Sequence, residues 1–168
     1  LGPETNASTS KDMTVYFVNV PARALEKAME IEADRFQTMT FSNEAFRTEL
    51  GAVREERRRT YVDSPIGALY SLLYEKAFQV HPYHHPVIGW EADLERNMTY
   101  EDGLEFYRTY YSPNRTVLVV AGRFDPTALM EQVRRHYRDW KRQPEPELQA
   151  PEEPPQTEER RDRIVWKD

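Results

Sequence analysis

Cysteine is absent from the sequence. That excludes disulfides and thiolate metal ligands, so any metal must be held by histidine, aspartate or glutamate. The same absence leaves the redox compartment open. Glycine is scarce, with 6 residues in 168. Neither a G-x-S-x-G turn nor a glycine-rich phosphate loop occurs, so nucleophilic serine chemistry and phosphate binding lack their motifs. No stretch approaches the roughly 18 consecutive apolar residues of a membrane-spanning helix. Excess basic charge is missing too. With 29 acidic against 23 basic residues, the formal charge is −6 and the pI near 5.4, the wrong sign for displacing counterions from phosphates. Neither a nucleic-acid partner nor a membrane span is expected. The run Arg57, Arg58, Arg59 follows Glu55 and Glu56 and reads as a solvated helix face. The sequence opens at Leu1 without Met or a charged-then-apolar leader, so the natural N-terminus is expected to lie elsewhere.

What is present is enough for a folded domain: 39% hydrophobic and 31% charged residues suit a globular chain with solvated helices. Met13–Pro21 alternates β-branched and aromatic residues and predicts a strand. Leu25, Met29, Ala33 and Phe36 recur at helical spacing within Ala22–Gln37, with Arg23, Lys27, Glu30 and Asp34 facing outward. Ser42 or Asn43 can cap a helix reaching about Val62, with Phe46, Leu50 and Val53 as its buried stripe. Another helix is expected from Pro65 to Gln79. Two prolines and a glycine make His81–Trp90 an irregular connection. Thr99 can cap a helix that ends before Pro113, and Asp125 one that ends near Trp140. Arg115–Phe124 is the most apolar run, and its valines predict a central strand. The Pro- and Glu-rich stretch from Gln143 to Gln156 has linker composition, and Asp162–Trp166 reads as a further strand. The domain reading is therefore 1–142 as a folded unit, 143–161 as linker and 162–168 as the start of a following strand. Strands separated by pairs of helices imply an α+β layer, with helices on one face of a mainly antiparallel sheet.

Two acids on the helix starting at Asn43 draw attention. Glu49 and Glu56 are seven residues apart, hence about 20° apart around the axis and about 10.5 Å along it. They share a face beside the apolar stripe, where partial shielding is expected, whereas Glu55 points into water. A carboxylate at the margin of a core is costly without a partner. A metal would serve, and so would a surface Arg or Lys. His81, His84 and His85 offer a competing metal site, but Pro82 and Pro86 prevent the regular helix that would aim them together, which favours a packed or hydrogen-bonded loop. His136, among Arg134, Arg135 and Arg138, is expected to be exposed.

Read in order, several phrases resemble the pitrilysin/insulinase family of zinc peptidases, the inverted zincins that include mitochondrial processing peptidase. Asn6–Tyr16, NASTSKDMTVY, is similar to that family's N-A-x-T-x-x-x-x-T-x-Y strand. Glu49–Glu56, ELGAVREE, is similar to its E-x6-E helix. His81–Tyr83, Ile88–Trp90 and Tyr110–Asp125, YYSPNRTVLVVAGRFD, follow in the family's order. The resemblance spans nearly the whole chain.

What it implies is zinc-dependent hydrolysis of peptide bonds, on the α+β half-domain of the processing-peptidase-like fold. In such enzymes an H-x-x-E-H helix gives two histidine ligands and a general base, and a Glu on a second helix completes the site. By motif position that Glu matches Glu56, and Glu49 matches the acid that supports the site from behind. Asn6, Ala7 and Thr9 match the edge strand on which family members lay the substrate as an added strand; the alternative is that Asn6 only shapes a turn. No H-x-x-E-H occurs in these residues. The expectation is a fragment of an active endopeptidase, with zinc in the intact parent and not held by this piece alone; the alternative is a non-catalytic partner subunit. Expected partners are a peptide or unfolded protein substrate and a second homologous half-domain or subunit, with a homodimer of the fragment possible. Resemblance to secreted zinc proteases favours a periplasmic or secreted location.

Overall fold

The structure, a computed structural model, describes residues 3–147 and 151–166. The chain folds as two compact units, one from the residues up to Phe41 together with Glu101–Pro146, the other from Ser42–Tyr100 together with the residues from Glu147 on. Helices and an antiparallel two-stranded sheet make the fold α+β. No helix among the described residues is long and apolar enough to cross a membrane.

In the first unit, β1 (Glu4–Thr9) pairs antiparallel with β2 (Thr14–Asn19), in a register running from Glu4↔Asn19 to Thr9↔Thr14. The period-two pattern of β2 turns Tyr16 and Val18 inward and leaves Val15 and Phe17 exposed. Helix α1 (Leu25–Thr38) buries Met29 and Ala33, as its spacing predicts. Phe36 meets Tyr16, Tyr111 and Trp140 at ring distances of 5.3, 5.7 and 5.9 Å. The Arg35 guanidinium lies 4.7 Å from the centre of the Tyr16 ring. Helix α4 (Tyr100–Tyr110) sends the Tyr107 hydroxyl to the Phe36 carbonyl at 2.8 Å. Burial, then the hydrogen bond between the Tyr16 and Tyr111 hydroxyls, pushes the Tyr111 phenol well above the ordinary tyrosine range.

Helix α5 (Pro126–Tyr137) begins on Asp125, whose carboxylate accepts from the Ala128 N–H at 2.8 Å. It packs on α1 through Arg135 and Glu26 at 2.8 Å, and Gln37 donates to the His136 carbonyl at 2.9 Å. This packing corrects the expectation of an exposed His136, whose side chain is only 17% exposed. The arginines beside it in sequence lie on other faces of the same helix.

In the second unit, Ser42 caps α2 (Asn43–Arg57), accepting from the Ala45 N–H at 3.0 Å. The helix continues through a π-helical turn, Arg58–Val62, to the end the spacing predicts. Ser64 and Pro65 start α3 (Pro65–Ala77), which stops two residues before the expected Gln79 because Phe78 is already extended. Its first turn crosses the preceding turn so closely that a methyl on Gly67 would stand 1.6 Å from the Thr60 carbonyl oxygen.

The Pro- and Glu-rich stretch does more than span. Glu153 accepts the N–H groups of Gln79, Val80 and His81 at 2.6, 3.0 and 2.9 Å. Arg160 donates to the Lys76 and Ala77 carbonyls at 2.6 and 3.2 Å, and Asp162 pairs with Lys76 at 3.0 Å. The end of α3 is thereby capped from a distance, a cation on its last carbonyls.

Two expected strands are absent. Arg115–Phe124 forms no ladder: Thr116 has extended dihedrals, but Val117 and Val119 are 85% and 80% exposed. Residues 162–166 likewise have no regular structure. A strand is completed by a hydrogen-bonded neighbour, and apolar composition marks only a segment fit for one. Conversely, a π-helical turn at Asp93–Asn97 was not expected from the sequence.

Candidate functional site

The second unit positions the two acids of α2. Phe46, Leu50 and Val53 turn inward, and Arg57 joins them with a side chain only 16% exposed, which corrects its reading as part of a solvated face. Glu49 and Glu56 are both exposed. Partial shielding was expected, but the inward strip of α2 is narrow and its flank reaches water.

Their surroundings distinguish them from the neighbouring acid. Glu55 accepts from the Arg58 Nε and Nη2 atoms at 3.2 Å each, and Arg58 also bonds Asp63. The Glu55 hydrogen bond, then the charges of Asp63 and Glu55, raises the Arg58 pKa above its ordinary value. Glu49 and Glu56 form no ion pair or hydrogen bond with any described side chain. Pairing with a surface Arg or Lys is therefore not what these two carboxylates do within the described residues.

The C-terminal half of α2 is fastened on another side. Arg54 donates through Nε to the Leu94 carbonyl at 2.7 Å and through Nη2 to the Glu95 carbonyl at 3.2 Å. Arg57 reaches the Gly89 carbonyl and the Glu91 carboxylate, both at 3.4 Å. Near the start of the helix, the Phe46 ring stands edge-on to Tyr100 at 6.3 Å. These arginines are site neighbours that spacing alone did not single out; their signal is an Arg two positions before and one after Glu56.

The three clustered histidines are engaged in their loop. His81 Nδ1 accepts the Tyr83 N–H at 3.1 Å and the His84 Nδ1 lies 2.8 Å from the Phe78 carbonyl. His85 Nδ1 lies 3.3 Å from the Pro86 carbonyl. The His81 ring also packs on Phe78 and Tyr83, and His84 on Trp90. This is the packed loop that the prolines imply.

In the first unit, Asn6, Ala7 and Thr9 lie on β1, opposite Phe17, Tyr16 and Thr14. All of β1 is exposed, and among the described residues its only strand partner is β2. Within β1 the Asn6 side-chain oxygen accepts the Ala7 N–H at 2.8 Å.

A carboxylate oxygen is a competent zinc donor, and an exposed, unpaired Glu56 keeps its lone pairs available. A closed site needs more donors. No group of three or more His, Cys, Asp or Glu side chains among the described residues is placed to hold a metal. These residues fit zinc as contributors of a carboxylate, not as its whole cage.

The sequence matches two family profiles: Insulinase (Peptidase family M16) over residues 1–90, and Peptidase M16 inactive domain over residues 97–168. The zinc protease PqqE of Helicobacter pylori is 32% identical over 168 residues, covering 99% of this chain and 38% of the relative. The crystal structure of a protease from Helicobacter pylori superposes with a TM-score of 0.82 at 32% identity, over 91% of this chain and 37% of that one. The first half of the periplasmic protease PqqL from Escherichia coli shares the fold, with a TM-score of 0.72 at 20% identity, over 87% of this chain and 31% of that one. The chain thus spans well under half the length of the relatives it matches.

Proposed function

The chain belongs to the insulinase-type peptidase family, and from that premise we propose that it is part of a zinc-dependent endopeptidase, supplying Glu56 as a metal ligand and β1 as the edge that receives a peptide. The observation that carries this reading is the state of α2: two acids seven residues apart, exposed and without an ion pair among the described residues, beside a third acid that is paired. Their spacing puts them on one face. Glu49, on the same face, would support the metal site from outside its ligand shell. Zinc, when bound, acidifies its water and polarises the scissile carbonyl. This chain's own contribution is to hold one ligand and, through Asn6, Ala7 and Thr9, to align peptide backbone with loose sequence preference.

On this reading residues 1–142 form the peptidase-type portion and 143–161 a connection onward. The substrate is a peptide or unfolded protein, and the partner is a second homologous half-domain or subunit. A periplasmic or secreted location belongs to the same proposal, since PqqL is a periplasmic protease. The match of residues 97–168 to the family's inactive domain favours one second reading, a partner half that binds without cleaving.

Metal analysis of the whole protein separates the two. Zinc at one equivalent, with affinity weakened about tenfold or more in Glu56→Gln, supports the enzyme. A zinc-free whole protein that still binds peptide supports the partner half. Unchanged zinc affinity in Glu56→Gln removes Glu56 from the site.

A further inference from the structure

The presentation of Glu56 depends on how α2 is held about its own axis. A single helix lying on a surface can roll, and a roll of one residue turns a side chain through about 100°. Arg54 and Glu56 are two residues apart, hence about 200° around the helix, and Arg57 is about 100° from Glu56. The two arginines thus fasten the sides of α2 that Glu56 does not occupy.

What they fasten to is well fixed. Leu94 is 2% exposed, and its N–H bonds the Trp90 carbonyl at 3.1 Å. The Met98 N–H bonds the Asp93 carbonyl at 2.9 Å, and the Gly89 N–H closes a turn on the Pro86 carbonyl at 3.0 Å. Asn97 donates to the Asp93 carboxylate at 2.8 Å. Arg54 forks onto two consecutive carbonyls of this turn, with charge-assisted bonds in a planar geometry that a lysine does not reproduce. The paired Glu55 completes the arrangement: held by Arg58 at 3.2 Å, it is kept from competing for a cation with the acid next to it.

We infer that Arg54, assisted by Arg57, is a positioning residue for Glu56: it locks the rotation of α2 against the backbone of residues 89–95, so that the Glu56 carboxylate meets the metal in one direction. This rests on the reading of Glu56 as a zinc ligand. The test uses the whole protein with its metal and measures zinc affinity by competition with a chromophoric chelator, alongside the visible spectrum of the cobalt-substituted form. Arg54→Met is expected to weaken zinc about 10- to 100-fold, as loss of a ligand-orienting group does, and to alter the cobalt spectrum. It should lower kcat with little change in KM. Arg54→Lys, with one ammonium for two carbonyls, should fall between.

A lower melting temperature with wild-type zinc affinity and cobalt spectrum would make Arg54 merely structural and overturn the inference. If Arg54→Met does not fold, Arg54→Lys decides by the same affinity. Glu56→Gln separates the two levels. Should it lose zinc while the Arg54 variants do not, only the positioning role fails; should it keep wild-type affinity, the ligand reading fails and the inference with it.

Discussion

Gly67 sits where α3 passes the turn before it, and a methyl there would meet the Thr60 carbonyl oxygen at 1.6 Å. The obstacle is backbone, which cannot step aside as a side chain can. Gly67→Ala is expected to cost about 1–3 kcal/mol as an overpacked contact, read as a lower midpoint in denaturant unfolding; an unchanged midpoint would mean the two turns are not packed this closely. Glu153 makes a second prediction. Burial, the largest single influence, pushes its carboxyl up, and the N–H groups of His81, Val80 and Gln79 with the charge of Arg160 outweigh it, so the pKa falls below the ordinary 4.5. A carboxyl lowered by folding stabilises fully above its unfolded value and loses that contribution as pH falls through the folded one. Amide exchange at residues 79–81, corrected for its intrinsic pH dependence, should therefore be protected from neutral pH down to about 4.5 and lose protection below it. Glu153→Gln should remove this acid step. Neither residue was legible in the sequence: one glycine inside a helix and one glutamate in a proline-rich stretch carry no periodic signal. Glu49 and Glu56 were legible as a pair, but their freedom from ion pairs was not, because it depends on where Arg58 reaches.

Helix starts were the most readable elements, since a cap is local chemistry. Ser42 and Asp125 each accept the N–H three residues on, as their position before an apolar periodic run implies. Ser42→Ala and Asp125→Ala should each lose about 1 kcal/mol in denaturant unfolding, and an effect near zero at either would mean that its helix start is held by packing alone. The stripe of α1 was equally plain, with Met29 and Ala33 buried as spaced. Arg115–Phe124 shows where local reading stops. Its valines describe a surface ready for a sheet, while the ladder that would make it a strand needs a neighbour from elsewhere. The π-helical turn Asp93–Asn97 escaped for a related reason: it is tied down by Arg54 from forty residues away.

At the scale of the molecule, the imbalance is between inside and outside. Among the described residues only Met29, Ala33 and Leu94 are buried hydrophobics, whereas Ile66, Leu69, Tyr70 and Leu73 line α3 at 74, 50, 50 and 61% exposure. A surface so apolar favours association. The 168-residue chain on its own is expected to gain mass with concentration in sedimentation, and a strict monomer at every concentration would contradict this. Much of the family resemblance lay in ordered short phrases, which is why it could be read without a complete core. The Pro- and Glu-rich stretch has one more consequence. Anyone choosing a place to splice in an affinity tag would pick it for its composition, yet Glu153, Arg160 and Asp162 work as a clasp on the end of α3. An insertion between Glu153 and Asp162 would unfasten that helix end, and what looks like spare ribbon would behave as part of the garment.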